Sequence, residues 1–240
     1  SGTAFGGAGE KIVLEEGLLG PEISILAISD GEKAVALSPA QDFKRLHNND
    51  LGPNTGGMGA YSPVPIASDG LVEDVLKNFI QPTIAALRQR GIDYRGVLYA
   101  GLMITEDGPK LLEYNVRFGD PEAQVVLPRF ESSLTELLIE ASRGEIQTPP
   151  RFTNDAMVTV VCATEGYPVS PRVGDRITGM EEASSSKGIE KVYVAGISLD
   201  EQQQPVTAGG RVLAVTGRGV TIESARQNAY TGAEKIHWEG

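Results

Sequence analysis

The stretch Lys110-Leu111-Leu112-Glu113-Tyr114-Asn115-Val116-Arg117, running on into Phe118-Gly119-Asp120-Pro121-Glu122, decides how the chain folds and what it can do. As a strand, 110–117 puts Glu113, Asn115 and Arg117 on one face and Leu112, Tyr114 and Val116 on the other. Neighbours on a face then lie about 6.6 Å apart. A carboxylate, an amide oxygen and a guanidinium in one row suit a hard divalent cation and, beside it, a phosphate oxygen or developing anion. The alternative is an ordinary half-buried strand whose polar face is solvated. Residues 118–122 bear on the choice, because they end the strand in a turn that can open a helix, with Asp120 as N-cap and Pro121 at the first helical position. A polar strand face meeting a helix start is a place to hold a phosphate and its metal. Asp120 can be a cap, a substrate ligand, or both.

Working outward, Gly96–Thr105 and Pro109–Val116 are apolar runs joined by Glu106-Asp107-Gly108, a hairpin signature. Residues 11–15 and 23–29 read as short strands separated by Gly17, Gly20 and Pro21. Residues 71–90 carry Val72, Val75, Leu76, Phe79, Ile80, Ile84 and Leu87 at amphipathic helical spacing, with Pro82 kinking the helix or starting a second segment. Another helix runs from Ser133, with Glu136 completing a capping box, to a stop at Gly144. Gln147-Thr148-Pro149-Pro150 marks a boundary. Beyond it come strands near 156–163, 191–199 and 211–216, and a helix capped by Thr221 and running towards Ile236. The fold class is α+β, in two modules split near residue 148.

Composition narrows the function. The chain has 240 residues with 21 basic and 32 acidic side chains, a net charge of −11, which argues against general affinity for nucleic acid or anionic membranes. A local basic site can still hold a phosphate. The lone Cys162 excludes a disulfide framework or a multi-cysteine zinc site, and in AMVTVVCA it reads as a small buried hydrophobe. His47 and His237 are too few for a histidine-rich centre, so any metal is a hard cation on oxygen ligands. No apolar run approaches the ~18 residues of a membrane span, and no signal-peptide pattern is seen. The expected class is a soluble cytoplasmic protein.

Two further segments are candidates. Gln41-Asp42-Phe43-Lys44-Arg45 precedes Pro53-Asn54-Thr55-Gly56-Gly57-Met58-Gly59, whose glycines could let backbone amides converge into an anion nest beside the basic pair. A flexible surface turn is the plain alternative. In Glu15-Glu16-Gly17-Leu18-Leu19-Gly20-Pro21-Glu22, a strand breaking at Gly17 could offer backbone groups to an adenine edge, with Glu22 near ribose hydroxyls. An ordinary turn with solvated acids is the plain reading there.

Taken together, these segments resemble the glycinamide ribonucleotide synthetase family, ATP-grasp ligases of purine biosynthesis. The resemblance rests on FGGAG (5–9), EEGLLGPE (15–22), QDFKR (41–45), GPNTGGMGAYSP (52–63), GVLYAGLMI (96–104), LLEYNVRFGDPEAQ (111–124), GGRVL (209–213) and KIHWEG (235–240). It implies that Glu113 and Asn115 are ligands of Mg2+ or Mn2+. It places Glu15, the Glu16–Leu18 backbone and Glu22 against the adenine and ribose of ATP, and Arg117 opposite the transferred phosphoryl group. Lys44, Arg45, Asn54, Thr55, Gly56, Gly57, Met58, Gly59 and Asp120 match the region holding phosphoribosylamine and glycine, and Arg211 reaches the same cleft from the C-terminal module or is a surface arginine after a turn. The implied reaction phosphorylates the glycine carboxylate with ATP; the amine of phosphoribosylamine then attacks the acyl phosphate. Such chemistry needs metal and cationic clamps more than a protein nucleophile.

Phe43 stands where the family usually has histidine, Gly17 where phenylalanine is common, and Ala123 where threonine is common. The implied domains are 1–18, the end of the ATP-grasp lid and the hinge; 19–147, the central catalytic domain; and 148–240, a β-rich C-terminal domain. The family's N-terminal substrate domain, the lid lysine and glycine-rich loop, and a last strand are expected to be missing. The expectation is therefore an inactive fragment of a small-molecule enzyme, monomeric or homodimeric. Another ATP-grasp carboxylate–amine ligase and a non-catalytic ATP-grasp module share part of the pattern.

Overall fold

The computed structural model describes Gly7 and residues 10–240; of the FGGAG segment, only Gly7 lies within them. The first half holds β1 (Glu22–Asp30), β2 (Ala34–Ala36), β3 (Gln41–Asp42), β4 (Arg45–His47), β5 (Leu51–Asn54) and β6 (Gly59–Ser62). Helices α1 (Asp69–Val75) and α2 (Gln81–Gln89) follow, then β7 (Arg95–Thr105), β8 (Gly108–Asn115), α3 (Ala123–Val126) and α4 (Leu134–Arg143). The remainder is β9 (Ala156–Ala163), α5 (Met180–Ser184), β10 (Ile189–Val194), β11 (Ile197–Leu199), β12 (Pro205–Thr207), β13 (Arg211–Gly219) and α6 (Ile222–Ala233).

Two antiparallel sheets organise these elements, in the orders β2-β1-β7-β8 and β10-β13-β9-β6-β3. Apart from Glu22 every residue of β1 is buried, as a central strand covered on both faces must be. Ile23, Ile25 and Ala27 join a core with Val75, Ile80 and Ile84 of the 69–89 helical segment. Leu26 and Ile28 face the opposite way, into a core with Leu137, Ala141, Val125 and Met157. The second sheet takes β3 and β6 from before residue 148 and β9, β10 and β13 from after it. Arg129, only 5% exposed, ties the same junction. It donates to Ser62 Oγ (2.9 Å), Thr153 O (2.7 Å) and Asp155 O (3.0 Å), and to Ser38 Oγ.

Local signals place most helix ends. Ser133 Oγ accepts from the Glu136 amide and Gly144 closes α4 at φ 81°. Between α1 and α2 the chain runs as a π-helical turn over Leu76–Ile80, with Pro82 in the first turn of α2; proline has no N–H to continue the ladder. Thr221 caps α6 reciprocally with Ser224.

Several expectations need correction. Residues 11–15 form no strand, and Ile12, Val13 and Leu14 are 87, 85 and 93% exposed; no described strand lies beside them to complete their hydrogen bonds. The 191–199 run is two strands, β10 and β11, and α6 stops at Ala233 rather than Ile236. The decisive stretch also differs. β8 ends at Asn115, and its register against β7 slips so that Gly101 faces Glu113 while Leu102 faces Leu111. The extra residue, Leu112, is a bulge. It is exposed, and Leu111 rather than Leu112 packs beside Tyr114. Asp120 does not cap a helix, because α3 starts at Ala123 with Glu122 at its N-cap position.

Candidate active site

Glu113 and Asn115 close β8 side by side, with Asn115 Nδ2 donating to Glu113 Oε1 at 2.9 Å. That bond turns the amide oxygen of Asn115 away from Glu113, leaving two hard oxygen donors at an exposed strand end. Among the described residues no group of three or more His, Cys, Asp or Glu could hold a metal. A cation here would therefore draw its remaining ligands from a phosphate or water, which suits magnesium-type chemistry. Arg117 lies past the strand end, exposed, and donates to Phe118 O at 2.9 Å. It is next to the pair in sequence but not on the same strand face.

Glu22 opens β1 and pairs with Lys44 Nζ. Burial pulls the Lys44 ammonium down, but the Glu22 hydrogen bond and the charges of Asp42, Glu22 and Glu113 outweigh it, so the net shift is upward. Lys44 is therefore held as an ammonium by its pairing with Glu22. Arg45 points along the β4–β5 hairpin and donates to Gly52 O at 2.9 Å. Glu15 and Glu16 are exposed and Leu18 is partly covered, on chain without regular structure. Phe43 is also exposed, its ring 6.0 Å from that of Tyr61.

The glycine-rich loop differs from the expected anion nest. Its amides are taken by the protein itself: Thr55 N donates to Lys44 O (2.7 Å), Gly56 N to Tyr167 OH (2.9 Å), Gly57 N to Thr55 Oγ1 (3.0 Å) and Met58 N to Phe43 O (2.7 Å). The glycines answer to close packing instead. A Cβ on Gly57, at φ 107°, would lie 2.4 Å from Pro121 Cδ, and one on Gly59 would lie 2.7 Å from Thr159 O. Asn54 is exposed at the end of β5.

Arg211 reaches the 54–59 loop and the Asp120 turn. Its guanidinium donates to Gly56 O (2.6 Å), Gly57 O (3.3 Å) and Asp120 O (3.0 Å) and pairs with the Asp120 carboxylate at 3.3 Å. Asp120 also accepts from Gln124 Nε2 at 2.9 Å.

Beneath these residues lies a buried acidic cluster whose roles local sequence could not reveal. Glu122 accepts from Tyr99 OH (2.7 Å) and Ser24 Oγ (3.2 Å). Burial and then the Glu122 charge hold the Tyr99 phenol far above its ordinary range. Burial first, then the charge of Glu122, pushes Asp42 up to about 6, with Lys44 opposing. Tyr167 was equally invisible, since its partner Gly56 is 111 residues away.

The comparisons with known proteins agree in direction. The profile of the phosphoribosylglycinamide synthetase ATP-grasp (A) domain matches residues 1–123, and that of the same family's C domain matches 157–240. A phosphoribosylamine–glycine ligase of Streptomyces coelicolor is 45% identical over 239 residues, which is 99% of this chain and 58% of the relative. One from Vigna unguiculata is 44% identical, covering 98% of this chain and 77% of the relative. The solved phosphoribosylamine–glycine ligase of Thermotoga maritima superposes with a TM-score of 0.82 at 38% identity, covering 94% of this chain and 55% of that one. The chain thus spans little more than half the length of the Streptomyces and Thermotoga proteins.

Proposed function

The chain belongs to the phosphoribosylglycinamide synthetase family, and from that premise we propose that its residues serve the ATP-dependent joining of glycine to 5-phosphoribosylamine, giving glycinamide ribonucleotide, ADP and phosphate. The observation that carries this reading is the Glu113–Asn115 pair at the end of β8, hydrogen-bonded at 2.9 Å, with Arg117 two residues further along the chain. Glu113 and Asn115 would hold a divalent cation, Mg2+ or Mn2+, which when bound neutralises phosphate charge.

The chain's own groups take further roles. Glu22, with Glu15, Glu16 and the backbone at Leu18, faces the ribose and adenine of ATP. Arg117, exposed just beyond β8, meets the phosphoryl group as it passes to the glycine carboxylate. Its fork geometry matches the equatorial oxygens of that group. Lys44 and Arg45 supply positive charge to the amine substrate's phosphate in an otherwise acidic chain, and the 54–59 loop with Asp120 walls the same subsite. We read 19–147 as the catalytic unit and 148–240 as a second unit sharing its five-stranded sheet.

The test is incorporation of labelled glycine into glycinamide ribonucleotide by a full-length synthetase carrying this sequence. Product should require ATP and phosphoribosylamine together, and Glu113→Gln should lose most of it at limiting metal. Product formed equally well by Glu113→Gln would overturn the reading.

A further inference from the structure

We propose that Tyr167 and Arg211, both from the region after residue 148, are positioning residues that clamp the Gly56 peptide and so set the 54–59 loop against the Asp120 turn. This deepens the reading above and rests on it only for the choice of substrate.

The Gly56 peptide is held on both sides. Its N–H donates to Tyr167 OH at 2.9 Å and its C=O accepts from Arg211 at 2.6 Å. The same guanidinium grips Asp120 through the main-chain carbonyl at 3.0 Å and the carboxylate at 3.3 Å. One planar fork therefore fixes two separate segments, the Gly56–Gly57 backbone and the Asp120 turn. A lysine, with its point-like ammonium on a flexible stem, cannot reproduce that geometry.

The clamp's two members also support each other. The Tyr167 ring lies against Gly210, where a Cβ would fall 2.2 Å from Cδ2, and Gly210 immediately precedes Arg211. At Gly56 a Cβ would meet the Arg211 guanidinium carbon at 3.0 Å. Gly56 and Gly210 are thus the two positions where bare backbone admits the clamp. With Nη1 already shared among three carbonyls, Arg211 acts on substrate through the loop.

The experiment has two readouts. In this 240-residue chain, amide exchange by NMR should be at least tenfold faster at Gly56 in Tyr167→Phe, while β9 and β13 amides keep their protection. In a full-length synthetase carrying this sequence, Tyr167→Phe and Arg211→Lys should raise KM for phosphoribosylamine at least fivefold with KM for ATP unchanged, and Arg211→Lys should give no rescue relative to Arg211→Ala. Unchanged exchange at Gly56, or acceleration spread evenly over β9 and β13, would overturn the clamp whatever the substrate is. Loss of discrimination between the two KM values would overturn its role in substrate positioning. A wild-type enzyme that makes no glycinamide ribonucleotide, with the exchange difference intact, would overturn the functional reading and leave the clamp standing.

Discussion

Tyr99 donates its phenolic proton to Glu122 Oε1 at 2.7 Å inside the molecule, and Tyr99 is the residue directly opposite Asn115 in the β7–β8 pairing. The buried carboxylate at the start of α3 is thus tied to the strand end that carries the proposed metal residues. Ser24 of β1 completes the arrangement, 2.6 Å from the phenol oxygen.

Removing one partner of a buried charged acceptor is costly. Tyr99→Phe should destabilise the chain by about 1.5–3 kcal/mol, the range for a hydrogen bond to a charged group. Glu122→Ala should also cost stability, because it leaves the two buried hydroxyls with only each other as partners. Urea unfolding at pH 7 checks both, and losses under about 0.5 kcal/mol would contradict the account.

Asp42 gives a pH signature. Its folded pKa of about 6 lies above the ordinary 3.8, so the folded state holds an extra proton between those values. Stability should therefore fall as pH rises from about 4 to about 6, by up to about 3 kcal/mol. Asp42→Asn should remove that slope and be the more stable protein at pH 8. Unfolding midpoints measured from pH 4 to 8 decide it, and parallel slopes for the two proteins would contradict the assignment.

Much of this fold was legible because its signals are local. Ser133 and Gly144 bracket α4, Thr221 caps α6, and the 106–107 turn joins β7 to β8, all within a few residues. What stayed hidden depends on distant partners. The Leu112 bulge exists only through register with β7, the loop amides are claimed by residues such as Tyr167, and 11–15 has strand composition without a strand beside it among the described residues. The Glu113–Asn115 pair was legible in kind, since alternation alone put both on one face. Arg117 departed because β8 ends two residues earlier.

Packing at the glycines separates close approach from mere looseness. Gly59→Ala puts a methyl 2.7 Å from Thr159 O, and the β6–β9 pairing must shift, at a cost of about 1–3 kcal/mol. Gly17 has no atom within 4 Å of its added Cβ, so Gly17→Ala should stay within about 0.5 kcal/mol. Thermal unfolding of the two variants side by side should show the contrast, and equal losses would contradict it.

The metal assignment predicts a selective defect. In a full-length synthetase carrying this sequence, Glu113→Gln and Asn115→Ala should each raise the Mn2+ concentration for half-maximal activity at least tenfold. The melting temperature should hold, because both side chains sit at an exposed strand end and support no core. Normal activity at limiting metal in either variant would contradict the assignment.

The central claim, that ATP at this site activates the glycine carboxylate for attack by phosphoribosylamine, is tested most directly by oxygen transfer. Glycine labelled with 18O in both carboxylate oxygens is turned over by the full-length synthetase carrying this sequence, and the released phosphate is weighed by mass spectrometry. Attack of the carboxylate on the γ-phosphorus makes the bridging oxygen glycine's own, and it leaves with phosphate when the amine displaces it. The account predicts one 18O in each phosphate and one retained in the product amide. Phosphate without 18O, released alongside glycinamide ribonucleotide, would contradict it.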